Sequence, residues 1–264
     1  MKNLIKDKSI SLVLPVHNQE NIIGFVIKGM IENKTENVKE LIIVIDGCTD
    51  NTEKEIDRVL PICGIPVKII YTPDVWEVKS SNVGYKAAEC PYILTFQDDM
   101  ICTEPRYDER MMKPFERFPN IFGITGRDAV DSTIDENGKL KWINLAGRDA
   151  NSPREYFYIR STINRGPVLW DHAKIEELGY LDESFYPQGQ DDTDICWKAY
   201  KKGWTVGCYQ VSYDSEVYWG GTRKTPQVAL WFDEVVNPKT CDMIVQRYRD
   251  LIMMPFKDQD IEME

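Results

Sequence analysis

The sequence has few residues of the kind that bind zinc or form disulfides. It contains two histidines, and its seven cysteines are scattered singly without a CxxC pair. This spacing argues against a structural zinc site and against a disulfide framework. Unpaired cysteines fit a reducing compartment, so we expect a cytoplasmic protein.

Long apolar runs and basic clusters are also missing. No stretch approaches the roughly 18 consecutive apolar residues that a membrane helix needs, and Pro15 interrupts the apolar run near the N-terminus. We therefore expect neither a signal peptide nor a membrane span. The net charge of −11 argues against a nucleic-acid partner, because a phosphate backbone would be repelled. An acidic protein that binds a nucleotide needs a bound cation or a few well-placed Lys or Arg residues.

The composition is that of a globular protein. Hydrophobic residues make up 42% and charged residues 28% of the 264 residues, which predicts a large α/β domain with a substantial core. No repeat or linker divides the chain. We interpret it as a single domain, 1–264, with two halves at about 1–122 and about 123–264.

Strands alternate with helices in the first half. The apolar patterns predict strands at 10–16, 41–45, 67–71 and 92–96 and helices at 20–31, 53–60 and 80–88. This order predicts a mostly parallel sheet. Ligands bind beyond the carboxyl ends of such strands, and the polar loops 17–20, 46–50 and 97–99 leave from that edge. In the second half, Asp135-Glu136-Asn137-Gly138 predicts a β-hairpin turn.

Asp46 follows a buried strand in the segment VIDGCTD. At that edge of the sheet its carboxylate can accept hydrogen bonds from a base or ribose. The alternative is a simple turn followed by a helix cap. We assign capping to Asp50 and Thr52 and ligand contact to Asp46.

Asp98 and Asp99 follow the fourth predicted strand. Two adjacent carboxylates repel each other, and a divalent cation bridging to a diphosphate would relieve that repulsion. Oxygen ligands favour Mg²⁺ or Mn²⁺ over zinc. The alternative is a surface turn, which needs no metal. The position of the pair at the sheet edge where ligands bind favours a functional role.

Asp191 and Asp192 belong to the acidic segment QDDTD before a predicted helix. Acidic residues at a helix start are favoured by the helix dipole, which explains one or two of the carboxylates. A carboxylate close to a bound donor can instead remove the proton from an acceptor hydroxyl.

These segments, in this order, resemble the family-2 glycosyltransferases with the GT-A fold. The matching pieces lie within roughly residues 9–204 and are LPVHNQENI, LIIVIDGCTDNT, SSNVGYKAAECPYILTFQDD and NRGPVLWDHAKIEELGYLDESFYPQGQDDTDICWKAYKKGW. The resemblance implies a nucleotide-sugar donor, a carbohydrate or other hydroxyl-bearing acceptor, usually Mg²⁺ or Mn²⁺, and normally inversion at the anomeric carbon. It implies that the half at about 1–122 binds the nucleotide sugar and that the half at about 123–264 binds the acceptor and carries out catalysis.

The resemblance also implies roles for individual residues. Asp192 matches the usual catalytic base, and Asp191 is the second choice. The positions matching donor-binding or metal-binding segments of the family are Pro15, Asn18, Asp46, Asn82, Gly84, Asp98 and Asp99.

The chain departs from the family pattern in three segments. Ile45 replaces the first acidic residue of the loop at Asp46, and QDDM lacks a clean D-x-D, which leaves open whether Asp98 or Asp99 is the main metal ligand. The late histidine of the family is absent, and Arg223 or Lys224 is the expected counter-charge to the diphosphate.

Two tryptophans are candidates for stacking on an acceptor sugar. Trp170 and Trp219 lie in the second half, and an aromatic face packs well on the C–H face of a sugar. The alternative is that both are core or partly buried residues.

Two other functions fit parts of the pattern. A sugar nucleotidyltransferase uses a similar sheet, but LPVHNQEN lacks the Gly-rich, basic loop expected after its first strand. A non-catalytic nucleotide- or carbohydrate-binding module would explain the imperfect D-x-D, whereas the QDDTD segment argues for catalysis.

Overall fold

The computed structural model describes residues 5–215 and 225–263. The strands are β1 (Ile10–Val16), β2 (Val38–Asp46), β3 (Val67–Thr72), β4 (Tyr92–Thr95), β5 (Ile101–Cys102), β6 (Ile121–Thr125), β7 (Asp128–Ile134), β8 (Leu140–Gly147), β9 (Tyr156–Ile159), β10 (Thr162–Ile163), β11 (Val168–Asp171), β12 (Thr205–Cys208), β13 (Tyr213–Asp214) and β14 (Gln259–Glu262).

Helices cover both faces of the main sheet. The α-helices are α1 (Ile23–Asn33), α2 (Thr52–Val59), α3 (Trp76–Ala87), α4 (Tyr107–Arg117), α5 (His172–Glu177), α6 (Asp191–Lys201), α7 (Pro226–Trp231) and α8 (Asn237–Ile252). Short 3₁₀ turns lie at Leu60–Ile62 and Glu183–Phe185, and a π-helical turn joins α7 to α8 at Phe232–Val236.

The main sheet has the order β14-β9-β12-β6-β11-β4-β1-β2-β3. Strands β1 to β4 are parallel to one another where they pair, which confirms the parallel α/β arrangement predicted for the first half. Beyond β4 the sheet becomes mixed, because β11 runs antiparallel to both β4 and β6. One continuous sheet therefore contains strands from both predicted halves of the chain.

The core has two layers, one on each side of this sheet. Along β1 successive side chains point to opposite faces, so Leu12 and Leu14 join one apolar cluster and Val13 joins the other. Helices α1, α2 and α4 cover the first face, and α3, α5 and α6 cover the second. This sandwich leaves the carboxyl ends of β1, β2 and β4 at one edge.

The predicted hairpin in the second half is confirmed. Strands β7 and β8 pair antiparallel, and Asp135 Oδ1 accepts hydrogen bonds from the amides of Asn137 and Lys139 in the turn.

All seven cysteines are free thiols, as their spacing predicts. Within the described ranges, each helix is too short or too polar to cross a membrane.

Candidate active site

A cavity of about 860 Å³ opens at the carboxyl ends of β1, β2 and β4. The first half of the chain contributes Pro15, His17, Asp46, Asp98 and Asp99, among others, to its wall. The second half of the chain also contributes to the cavity wall. Its charged contributions include Arg127, Arg148, Asp149, Arg165 and Asp233. The three polar loops singled out in the sequence therefore do meet at one edge of the sheet.

Asp46 lies at this edge and is almost fully buried. Its Oδ1 accepts hydrogen bonds from Thr72 Oγ1 at 2.8 Å and from the Val75 amide at 2.7 Å. These bonds fix the carboxylate at the end of β2. Asp50 Oδ1 accepts a hydrogen bond from the Thr52 amide at 3.0 Å. The N-cap of α2 is however Asn51, which makes no side-chain capping hydrogen bond, so the assignment of the cap to Asp50 and Thr52 is not confirmed.

Asn18 joins the first two loops. Its Oδ1 accepts a hydrogen bond from the Thr49 amide at 2.7 Å, and its backbone has a left-handed φ of 50°, a conformation that Asn tolerates better than most residues. The residue thus holds the loop after β1 against the loop after β2, whereas Pro15 contributes to the cavity wall itself.

Asp98 and Asp99 both line the cavity, directly after β4. The Asp98 carboxylate accepts hydrogen bonds from the His17 amide at 2.9 Å and from Gln19 Nε2 at 3.2 Å. Burial raises the pKa of Asp98 to about 7, and the neighbouring Asp99 adds to the shift. Two adjacent carboxylates in a cavity wall fit a hard divalent cation, which would stabilise their charged forms.

A second group of potential metal ligands lies beside this pair. His17, Asp46 and Asp74 each bring one ligand-type atom to within 4.8 Å of the others. His17 Nδ1 is also 2.6 Å from the backbone oxygen of Asp46. The sequence does not indicate this group, because His17, Asp46 and Asp74 are far apart in the chain and come together only in the folded structure.

Asp191 and Asp192 begin α6 beside a second cavity of about 610 Å³. Asp191 is fully buried, and its carboxylate pairs with Arg165 Nη2 at 3.1 Å. Asp192 is half-buried, and its Oδ1 accepts from the Thr193 amide at 2.7 Å. Burial raises the pKa of Asp192, while the positive charge of Arg165 opposes that shift.

The two cavities adjoin. They share Glu77, Arg165, Gln188 and Gly189 in their walls. The structure therefore brings the Asp98–Asp99 pair and the Asp191–Asp192 pair to neighbouring cavities, although the pairs are far apart in sequence.

Asn82 and Gly84 have structural positions in the fold, which corrects the prediction that they contact the donor. The Asn82 amide exchanges two hydrogen bonds with the backbone of Leu181, at 2.9 and 3.0 Å. Gly84 lies where a Cβ would come within 2.4 Å of Val13 Cγ1, so glycine lets α3 pack closely on β1. In the part of the chain that the structure describes, neither residue lines one of the two cavities.

Trp170 is a core residue. Its indole is fully buried, with its ring 5.0 Å from that of Phe122 and covering Gly123, where a Cβ would lie 2.3 Å from the indole. The prediction that Trp170 stacks on an acceptor sugar is therefore wrong, because no face of the ring is open to a ligand. Both faces of β11 are covered, and Trp170 packs with Val168 in the core layer beneath α3, α5 and α6.

Three other predicted site residues, Trp219, Arg223 and Lys224, lie outside the described residues. The cavity wall meanwhile contains groups that sequence reasoning did not assign. Trp76 and Glu77 come from the start of α3, and Arg127, Arg148 and Arg165 come from the second half. The segment NRGPVLW was part of the resemblance, and its arginine could have been selected as a charge beside the acidic pair.

Comparison with known proteins agrees with this geometry. Residues 11–174 match the family described as glycosyl transferase family 2. Poly-beta-1,6-N-acetyl-D-glucosamine synthase of Staphylococcus aureus (strain MSSA476) is 22% identical over 208 residues, covering 77% of this chain and 48% of that protein. Chondroitin synthase of Escherichia coli is 23% identical over 248 residues, covering 79% of this chain and 34% of that protein. The chain spans about half the length of these relatives or less.

Solved structures show the same fold. The structure of GalNAc-T7 with UDP, GalNAc and Mn²⁺ has a TM-score of 0.72 at 12% identity and covers 92% of this chain and 49% of that chain. The structure of S. aureus TarS 1–349 in complex with UDP has a TM-score of 0.55 at 15% identity, with coverages of 78% and 59%. From the family match over most of the sheet and from this fold, the chain belongs to the glycosyltransferases of family 2, with the GT-A fold.

Proposed function

We propose that the protein transfers a sugar from a nucleotide-sugar donor to a hydroxyl group of a carbohydrate or similar acceptor, with inversion at the anomeric carbon. One observation carries the proposal. The Asp98–Asp99 pair and the Asp191–Asp192 pair lie in adjoining cavities that share part of their walls. The first pair suits a donor bound through a cation, and the second suits a base that acts on the acceptor.

The donor belongs in the larger cavity. Two structures with the same fold contain UDP, one of them with Mn²⁺, so a uridine diphosphate sugar is the first donor to test. Asp98 and Asp99 would hold Mn²⁺ or Mg²⁺, which neutralises negative charge on the diphosphate. Asp46 and Pro15 line the part of the cavity next to β1 and β2, where the nucleoside is expected at the carboxyl edge of the sheet.

Asp192 is the proposed general base. Its carboxylate takes the proton from the acceptor hydroxyl, the acceptor oxygen forms the new bond to the anomeric carbon, and the nucleoside diphosphate leaves with the bonding electrons. Asp192 suits this role better than Asp191, because Asp191 is buried in an ion pair with Arg165 whereas Asp192 is partly accessible. Its raised pKa brings it nearer to neutral pH, which makes it a stronger base.

Cationic side chains in the wall can offset the charge of the leaving group. Arg127 and Arg148 line the larger cavity. Arg127 is already paired with Asp149 at 3.0 Å, whereas the Arg148 guanidinium lies 4.0 Å from the centre of the Tyr213 ring. Arg223 and Lys224 remain predictions for the same role, and a cytoplasmic location remains a prediction from the cysteine pattern.

Binding and turnover together test the proposal. The protein is titrated with UDP-N-acetylglucosamine, UDP-N-acetylgalactosamine and UDP-glucose in the presence of Mn²⁺, and hydrolysis of the bound donor is followed with wild type and Asp192→Asn. We expect at least one donor to bind and to be hydrolysed slowly by wild type only. Binding without hydrolysis or transfer would favour a non-catalytic module, and release of pyrophosphate would indicate a nucleotidyltransferase.

A further inference from the structure

Arg165 lies at the junction of the two cavities. It follows β10 in the segment before β11 and lines both cavities, although its side chain is 9% exposed. The next residue, Gly166, has a φ of 79°, and a Cβ there would come within 2.7 Å of Gln97 Oε1. The loop that carries Arg165 is thus packed directly on the loop that carries Asp98 and Asp99.

Of the two terminal nitrogens of the Arg165 guanidinium, Nη2 pairs with carboxylates of the protein. Nη2 lies 3.1 Å from Asp191 Oδ2 and 3.4 Å from Glu77 Oε1. Nη1 is buried and has no hydrogen-bond partner among residues 5–215 and 225–263. Buried donors in native proteins nearly always have a partner, and an unpartnered donor on a residue that lines both cavities points to a ligand atom.

The charges around Arg165 restrict the kind of ligand atom. Burial acts to lower its pKa, but Asp191, Glu77 and Asp192 together hold that pKa above its usual range. One positive charge already faces three carboxyl groups, so a phosphate at Nη1 would be repelled by the surrounding charge. A hydroxyl oxygen is neutral and accepts a hydrogen bond at no such cost.

We propose that Arg165 Nη1 donates a hydrogen bond to a hydroxyl oxygen of the transferred sugar, which makes Arg165 a determinant of donor-sugar specificity. The inference rests on the proposed function, because it requires a nucleotide sugar in the larger cavity. The position agrees with the course of the reaction, since the transferred sugar must lie between the diphosphate at Asp98–Asp99 and the base at Asp192.

Arg165→Lys tests the contact. Lysine keeps the positive charge beside Asp191 but has one nitrogen in place of the guanidinium fork. Calorimetric titrations in Mn²⁺ compare UDP with the UDP sugar that wild type binds most tightly. We expect the dissociation constant for UDP to stay within about twofold and that for the UDP sugar to rise about tenfold, the effect of losing one charge-assisted hydrogen bond.

Deoxy forms of the same UDP sugar identify the hydroxyl group. Removing the contacted hydroxyl should weaken binding to wild type about tenfold and should cause little further loss in Arg165→Lys, because the two changes remove the same interaction. Arg247→Lys is the matched control. Arg247 also pairs with buried Asp194, at 2.9 Å, but lies outside both cavity walls, so its substitution should leave both dissociation constants unchanged.

The alternatives give different results. An equal loss of UDP and UDP-sugar affinity would show a phosphate contact and overturn the proposal, as would unchanged affinities with a lowered melting temperature. If Arg165→Lys does not fold, the double variant Arg165→Gln, Asp191→Asn removes both charges of the ion pair and is measured in the same way. Failure of wild type to bind any UDP sugar while UDP still binds would refute the proposed function itself, independently of the variants.

Discussion

The two carboxylates at the start of α6 have different surroundings. We therefore propose a catalytic role for Asp192 and a structural role for Asp191. Asp191 is buried against Arg165, whereas Asp192 is partly accessible from the smaller cavity. We predict that Asp192→Asn lowers turnover by about 10²-fold or more and leaves UDP affinity nearly unchanged, since a general base acts in the transition state. Steady-state kinetics and calorimetric titration of the same preparation measure both quantities.

Asp191→Asn provides the contrast. It leaves the buried charge of Arg165 without its main partner, so we expect the free energy of unfolding to fall by about 3–5 kcal/mol. Asp192→Asn should have a much smaller effect on stability. Near-normal turnover in Asp192→Asn together with inactive, stable Asp191→Asn would move the base to Asp191.

The raised pKa of Asp192 predicts the pH dependence of turnover. The base must be ionised to accept a proton, and burial raises its pKa above the value of about 3.9 for an ordinary Asp. Turnover at saturating donor, acceptor and Mn²⁺ should therefore fall as the pH decreases through that raised value. UDP affinity measured over the same pH range separates this effect from titration of the donor site. Constant turnover down to about pH 4 would contradict the assignment.

At the scale of elements, Asn82 joins α3 to the segment that leads towards α6. Its buried amide donates to the Leu181 carbonyl and accepts from the Leu181 amide. We predict that Asn82→Ala lowers the free energy of unfolding by about 1–3 kcal/mol for each buried group left unpaired and changes UDP affinity little. Chemical denaturation and UDP titration test this, and a large loss of UDP affinity in a stable variant would restore Asn82 as a donor ligand.

The elements show what sequence could and could not predict. The bounds of β1 were predicted at 10–16 because a buried parallel strand is a continuous apolar run, and the structure has Ile10–Val16. Helix α3 was predicted to begin at 80 but begins at Trp76, because the preceding turn is fixed by a tertiary hydrogen bond from the Val75 amide to Asp46. The placement of β11 between β4 and β6 likewise depends on long-range pairing.

The candidate site was predictable where it depended on strand ends and less so elsewhere. Asp46, Asp98 and Asp99 lie at the cavity because parallel strands end at one edge of a sheet. Trp170 and Gly84 were misassigned because a residue type and a short motif do not reveal which face of an element is covered. Arg165 was missed because its role depends on the contact between its loop and α6.

At the scale of the whole molecule, electrostatics predicts that nucleotide binding needs a divalent cation. The chain carries a net charge of −11, and Asp46, Asp98 and Asp99 lie in the same cavity wall. The diphosphate of a donor adds negative charge there, so without a cation the site would repel its own ligand. We expect UDP affinity, measured by calorimetry in Mn²⁺, to collapse in a chelator.

Two substitutions extend this last prediction to the residues that hold the cation. Asp99→Ala should mimic the chelator, whereas Asp50→Ala should leave UDP affinity nearly unchanged, because Asp50 is bonded to the Thr52 amide next to the start of α2 and lies outside the cavity wall. Comparison of Asp98→Ala with Asp99→Ala identifies the main ligand. If UDP affinity is the same in chelator and in Mn²⁺, the cation has no part in UDP binding. Cavity arginines such as Arg127 and Arg148 must then offset the negative charge of the diphosphate.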